Sequence, residues 1–146
     1  MRVRLAGAAL AVGSLVTASG YAVEAAGTSA EALGPGLVDV EVGIDASRFS
    51  VRTIRVHEGT LLRLHVRNGD PIAHELVVGD EAVHRAHAQG TERRHPPRPG
   101  ELSLGPGRAG LTFMAFDEPG TYRFVCHLPG HEAYGMTGEI EVVPAD

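Results

Sequence analysis

Residues 126–136 read Cys-His-Leu-Pro-Gly-His-Glu-Ala-Tyr-Gly-Met and hold the only cysteine of the chain, Cys126, followed at equal intervals by His131 and Met136. A thiolate, an imidazole and a thioether on one loop make a donor set suited to copper. The reduced ion prefers sulfur and the oxidised ion imidazole, so mixed donors serve both states with little rearrangement. A trigonal copper site with a weak axial thioether needs a second histidine from elsewhere. His74, in Ala-His-Glu-Leu-Val-Val, is the candidate. Pro129-Gly130 turns the chain so that His131 returns towards Cys126, and Gly135 permits the bend that brings in Met136. His127 follows the cysteine directly, points the other way on an extended chain, and is read as a non-ligand. Taken singly, each donor has a plainer reading: Cys126 and Met136 as apolar filler, His131 as surface. Their order, together with the turn residues, favours the metal.

The loop sits between two strand patterns. Tyr122 to Val125 leads into Cys126 after a Pro119-Gly120 turn, and from Met136 to Val143 the apolar Ile140 and Val142 alternate with Glu139 and Glu141. Upstream, Val38, Val40, Val42 and Ile44 alternate strictly with Asp39, Glu41, Gly43 and Asp45, the period of a strand with one buried face. Ile54 and Val56 mark a second strand, and Leu62, Leu64 and Val66 a third after a turn at Gly59. Asn68-Gly69-Asp70-Pro71 is turn chemistry that aims the chain into another strand, His74 to Val78. Asp80 is placed to cap a turn or two of helix over Glu81 to Gln89. Gly90 to Gly100 reads as a polar surface loop. The β pattern resumes with Leu102 and Leu104, then with Leu111, Phe113 and Ala115 alternating with Thr112 and Met114. About seven or eight strands at this spacing predict an all-β fold, a two-sheet sandwich.

At the start of the chain, Met1 to Arg4 is basic and Leu5 to Val23 is apolar or small without charge, the layout of a secretory signal. Small residues near Ala25 and Ala26 give an expected signal peptide over 1–26, a linker over 27–36 and one domain over 37–146. The competing reading is an uncleaved anchor, because the uncharged stretch approaches spanning length. No cysteine follows it to carry a lipid, and Arg2 and Arg4 are not adjacent, which favours ordinary unfolded export. All the basic residues are arginine and the formal net charge is −5. A mildly acidic exported domain is a poor candidate for binding nucleic acid. Its lone cysteine cannot form an internal disulfide, which strengthens the metal reading.

Cys126, Pro129, Gly130, His131, Gly135 and Met136, with His74 upstream, resemble the ligand pattern of the cupredoxin family of type 1 blue copper proteins. The equal gaps are most similar to those of its rusticyanin and auracyanin branch. The resemblance covers about Val38 to Val143 and implies a Greek-key β-sandwich holding one type 1 copper ion. In it His74, Cys126 and His131 would be equatorial and Met136 axial. It also implies that electrons cross at the edge of His131, within a small apolar surface of Ile72, Pro129, Ala133 and Tyr134. Position alone suggests that the backbone N–H of Glu75 reaches the Cys126 sulfur.

The remaining histidines are harder to place. Glu81, His84 and His87 share a helical face, and with His95 in the same insertion they form a candidate second, exposed metal site. The plainer reading is a solvated polar loop. His57 and His65 receive no role. The expected function is an exported, periplasmic or extracellular one-electron carrier that meets a redox donor and acceptor transiently, with no membrane span once the signal is removed. The alternative is a copper-binding or copper-delivery protein whose ion is cargo. An enzyme is not expected: catalysis by Cys126 with a neighbouring histidine as base would leave His74 and Met136 without purpose.

Overall fold

A computed structural model describes residues 31–89 and 98–145, so the expected signal peptide, 1–26, and residues 27–30 of the expected linker lie outside it. Alternation builds the first sheet. β1 (Gly36–Asp45) buries Val40, Val42 and Ile44, and β4 (Thr60–Asn68) buries Leu62, Leu64 and Val66, in parallel register with Val42 beside Val66. β2 (Arg48–Phe49) returns against the end of β1, and β7 (Ala109–Phe116) closes the other edge against β4, giving the order β2-β1-β4-β7. The second sheet takes β3 (Thr53–His57), β5 (His74–Gly79), β6 (Glu101–Leu104), β8 (Gly120–Val125) and β9 (Thr137–Val143) in the order β3-β9-β8-β5-β6. β3 and β9 pair in parallel, the other neighbours of that sheet antiparallel.

This is the two-sheet Greek-key β-sandwich that the sequence predicts. Its core joins Val40, Val42, Leu62 and Leu64 to Ile54, Val56, Leu76, Phe124, Ile140 and Val142 from the facing sheet. Each such side chain withdrawn from water contributes roughly 1.5–3 kcal/mol before the entropy of ordering it is set against it. Every residue of β5 is buried, because β8 and β6 flank it and α1 (Glu81–Gln89) packs over it. Asp80 caps this helix as expected, its Oδ1 accepting from the N–H groups of Ala82 (2.8 Å) and Val83 (2.9 Å). Among the described residues no helix is long and apolar enough to cross a membrane.

One strand departs from its pattern. In β7 the apolar Leu111 and Phe113 face solvent, while Thr112 and Phe116 face inward, Thr112 donating to the carbonyl of Arg98 (3.1 Å). Leu37 and Leu61 are exposed too, and the register aligns Leu37 with Leu61 and Leu61 with Ala115 on that outer face.

Candidate metal centre

Three donors from two elements converge at one end of the sandwich. His74 is the first residue of β5; Cys126 immediately follows β8; His131 lies in the loop before β9. The Nδ1 atoms of His74 and His131 stand 3.2 Å apart, and Cys126 Sγ is 3.2 Å from His131 Nδ1. Donor atoms of all three lie within 4.8 Å of one another. Cys126 and His74 are buried and His131 is half-buried.

The loop is held by its own backbone. His131 N–H donates to Leu128 O (3.0 Å), Met136 N–H to His131 O (3.0 Å) and Cys126 N–H to Met136 O (3.2 Å), so all three loop donors are stitched together. Gly130 and Gly135 have φ of 87° and 89°, the left-handed conformation that side-chain-bearing residues resist. Met136 is fully buried beside this cluster.

A second layer of bonds orients the donors. His74 Nε2–H donates to Asp70 Oδ2 (2.8 Å), which leaves Nδ1 with its lone pair towards the other donors. Asp70 in turn accepts from the backbone N–H groups of Ala46 (2.8 Å) and Ser47 (2.7 Å). The bond to Ser47 is the main reason its carboxyl is held below the usual range, with His74 contributing. Asn68 fixes the turn, its Nδ2 donating to Ile72 O (2.7 Å) and Gly105 O (3.0 Å) and its Oδ1 accepting from Asp70 N–H (2.9 Å). Glu75 N–H donates to Cys126 Sγ at 3.4 Å, the bond suggested by its position. The Glu75 side chain is buried beside Glu101, and burial first, then that neighbour, raises its carboxyl to about 7.

The donors fit a copper ion chemically. Burial pushes the Cys126 thiol up, so its thiolate needs a cation beside it, and burial together with His74 pushes His131 down, towards the neutral imidazole that a metal requires. Two imidazoles, one thiol and a neighbouring thioether form the mixed set for which copper is the best match.

Around this centre Ile72 and Tyr134 are exposed, as are Pro129 and Ala133, while His131 is the only half-buried donor. Of the four residues that the sequence offers as a second metal site, Glu81, His84 and His87 lie in α1 and form no three-donor cluster among the described residues. Glu81 is exposed and pairs with Arg85 (3.7 Å), and His95 lies outside the described residues. His84 instead turns inward, its Nδ1 3.0 Å from Nε2 of His127, and the His87 ring stacks over His127 at 5.7 Å. Burial shifts both His84 and His127 down. From the sequence, His127 reads as a non-ligand and Asp70 as a turn residue; the signal that Asp70 carries there is a carboxylate four residues before His74.

A family model described as copper binding proteins, plastocyanin/azurin family, matches residues 37–143. The copper-resistant cuproprotein CopI of Rubrivivax gelatinosus is 37% identical over 103 residues, 67% of this chain and 61% of that protein. Auracyanin-B of Chloroflexus aurantiacus is 28% identical over 122 residues, 73% of this chain and 52% of that protein. The chain thus spans between half and two thirds of these relatives' lengths. The crystal structure of dithionite-reduced auracyanin from Roseiflexus castenholzii superposes with a TM-score of 0.60 at 25% identity, over 76% of this chain and 98% of that one.

Proposed function

The chain belongs to the copper-binding plastocyanin/azurin family, and from that we propose that it is an exported one-electron carrier built around a single type 1 copper ion. His74, Cys126 and His131 would hold the ion, with Met136 as the weak axial donor. Bound copper supplies a one-electron couple. The chain contributes a fixed set of donors: Asp70 orients His74, the Glu75 N–H steadies the sulfur, and the bonded loop limits how far His131 and Met136 move. Donors that do not rearrange between oxidation states favour fast exchange.

The observation that carries this reading is the difference in burial within the cluster, with Cys126 and His74 sealed and His131 reaching the surface. A sealed thiol is poorly placed to attack a substrate, which argues against enzymatic use of Cys126. An electron can leave through the half-buried imidazole, beside Tyr134 and Ile72, which are 76% and 47% exposed and form a small apolar contact surface. Brief encounters with a donor and an acceptor suit so small a surface. A second reading, copper held as cargo in copper resistance, is supported by the likeness to CopI.

The test is an absorption spectrum of the copper(II)-loaded protein followed by voltammetry. An intense thiolate-to-copper band with a reversible one-electron wave is expected. Absence of the band sinks the copper assignment; a band with no reversible wave and ready copper transfer to an acceptor chelator would favour cargo.

A further inference from the structure

We propose that His84 and His127 form a second metal site, for a divalent transition ion that favours imidazole nitrogen, such as Cu²⁺ or Zn²⁺. The pair repeats the geometry of the first centre. His74 and His131 have ring centroids 5.0 Å apart, planes at 47° and facing nitrogens at 3.2 Å. For His84 and His127 the same quantities are 5.2 Å, 43° and 3.0 Å.

Tautomers sharpen the argument. His84 Nε2 lies 3.1 Å from Gly79 O and 3.3 Å from Arg123 O, two groups that can only accept, so Nε2 carries the proton and Nδ1 is a bare lone pair. His127 Nδ1 faces Glu132 Oε2 at 3.6 Å, an electrostatic contact beyond hydrogen-bond distance that favours a proton on Nδ1 and so frees Nε2 for a metal. In that tautomer both facing nitrogens present lone pairs 3.0 Å apart, an arrangement that a cation between them stabilises and that a proton on His127 Nε2 would turn into a hydrogen bond. A backbone carbonyl behind one imidazole and a carboxylate behind the other is the arrangement that orients histidines on metals. Glu132 is itself positioned, accepting from Arg123 Nη2 at 2.7 Å. With metal–nitrogen bonds of about 2.0 Å, the present spacing gives a ligand angle of roughly 100°, close to tetrahedral.

Packing keeps the two rings there. His84 is the only buried residue of α1, and the His127 side chain is 6% exposed. The remaining coordination positions fall to water, so this site binds more weakly than the first. It also sits one peptide bond from Cys126, since His127 is the next residue.

The test uses the full chain with its first site filled by one equivalent of copper, titrated with further Cu²⁺ and followed by electron paramagnetic resonance. A second equivalent is expected, with nitrogen hyperfine structure and no growth of the thiolate band. His84→Ala and His127→Ala should each weaken that second binding about tenfold or more, while Glu81→Ala leaves it unchanged. The thiolate band from the first equivalent reports folding and the first site in every variant, so failure here and failure of the electron-carrier reading are read separately. If His127→Ala loses the band, His84→Ala alone decides. No second equivalent in the wild-type chain, or one that survives His84→Ala undiminished, overturns the proposal and leaves a plain hydrogen bond between the rings.

Discussion

The carboxylate of Asp70 serves two distant pieces of chain. One oxygen accepts from Ala46 and the other from both Ser47 and His74. Ala46 and Ser47 have φ of 48° and 55°, the positive values that suit a two-residue hairpin turn to the twist of its strands but strain residues with a Cβ. The anion offsets that strain and at the same time fixes which nitrogen of His74 bears the proton. Asp70→Ala should therefore weaken copper binding about tenfold to a hundredfold, read by competition with a chelator; an unchanged affinity would remove Asp70 from the site's support. Cys126→Ser should abolish the thiolate band. Glu75→Ala should retain it, because the bond to sulfur comes from the Glu75 backbone, and loss of the band would give its carboxyl a part that the geometry does not assign. The loop donors were legible in the sequence because a bonded turn of chain holds residues that are nearly consecutive. The His84–His127 pair was not, since it joins a helix to a strand end through packing that spacing does not encode.

Among the elements, the pairing of β1 with β4 carries a pH signature. Asp39 stands directly beside Arg63 in the register and is bound by Arg63 Nη2 at 2.8 Å and His65 Nε2 at 2.7 Å. These partners, Arg63 foremost, lower its carboxyl from 3.8 to about 2. A depressed acid stabilises the folded chain above its unfolded value and loses that contribution as pH falls through the folded one. Denaturant midpoints of the wild type and Asp39→Asn should differ at pH 6 and converge as pH drops from about 4 to about 2; a gap that persists at the acid end would contradict the pairing. In β9, Gly138 lies opposite Phe124, whose ring packs edge-on to Phe49 at 5.2 Å. A Cβ at 138 would stand only 2.0 Å from Phe124 Cζ, so Gly138→Ala should cost about 2–3 kcal/mol in chemical denaturation. Alternation revealed β1, β4 and β9 because each buries one face. It misled in β7, where the period is correct but the apolar set lies on the outer face and Thr112 satisfies its hydroxyl inside. β2 is too short for any period to register.

At the scale of the whole molecule, the donors tie β5 to the connection between β8 and β9, neighbours around the middle of one sheet. An ion that binds only the folded chain stabilises it by mass action, about 2.7 kcal/mol when free ligand exceeds Kd a hundredfold. Copper should raise the melting temperature, a chelator should reverse the gain, and Cys126→Ser should blunt it; equal melting with and without copper would mean that the site does not engage the fold. The parallel pairing of β3 with β9 bears on how the chain takes shape during its own production. β3 is made before β4 to β8, and the strand it pairs with follows all of them. Until Thr137–Val143 arrives, β3 and β8 both present open edges, the condition under which strands recruit neighbours. A chain made from its N-terminus therefore holds this sheet incomplete until β9 is out, and the gathering of its donors waits on the stretch from Cys126 to Met136. Before that, ions meet scattered side chains; the pocket comes into being only once that stretch has folded against β5.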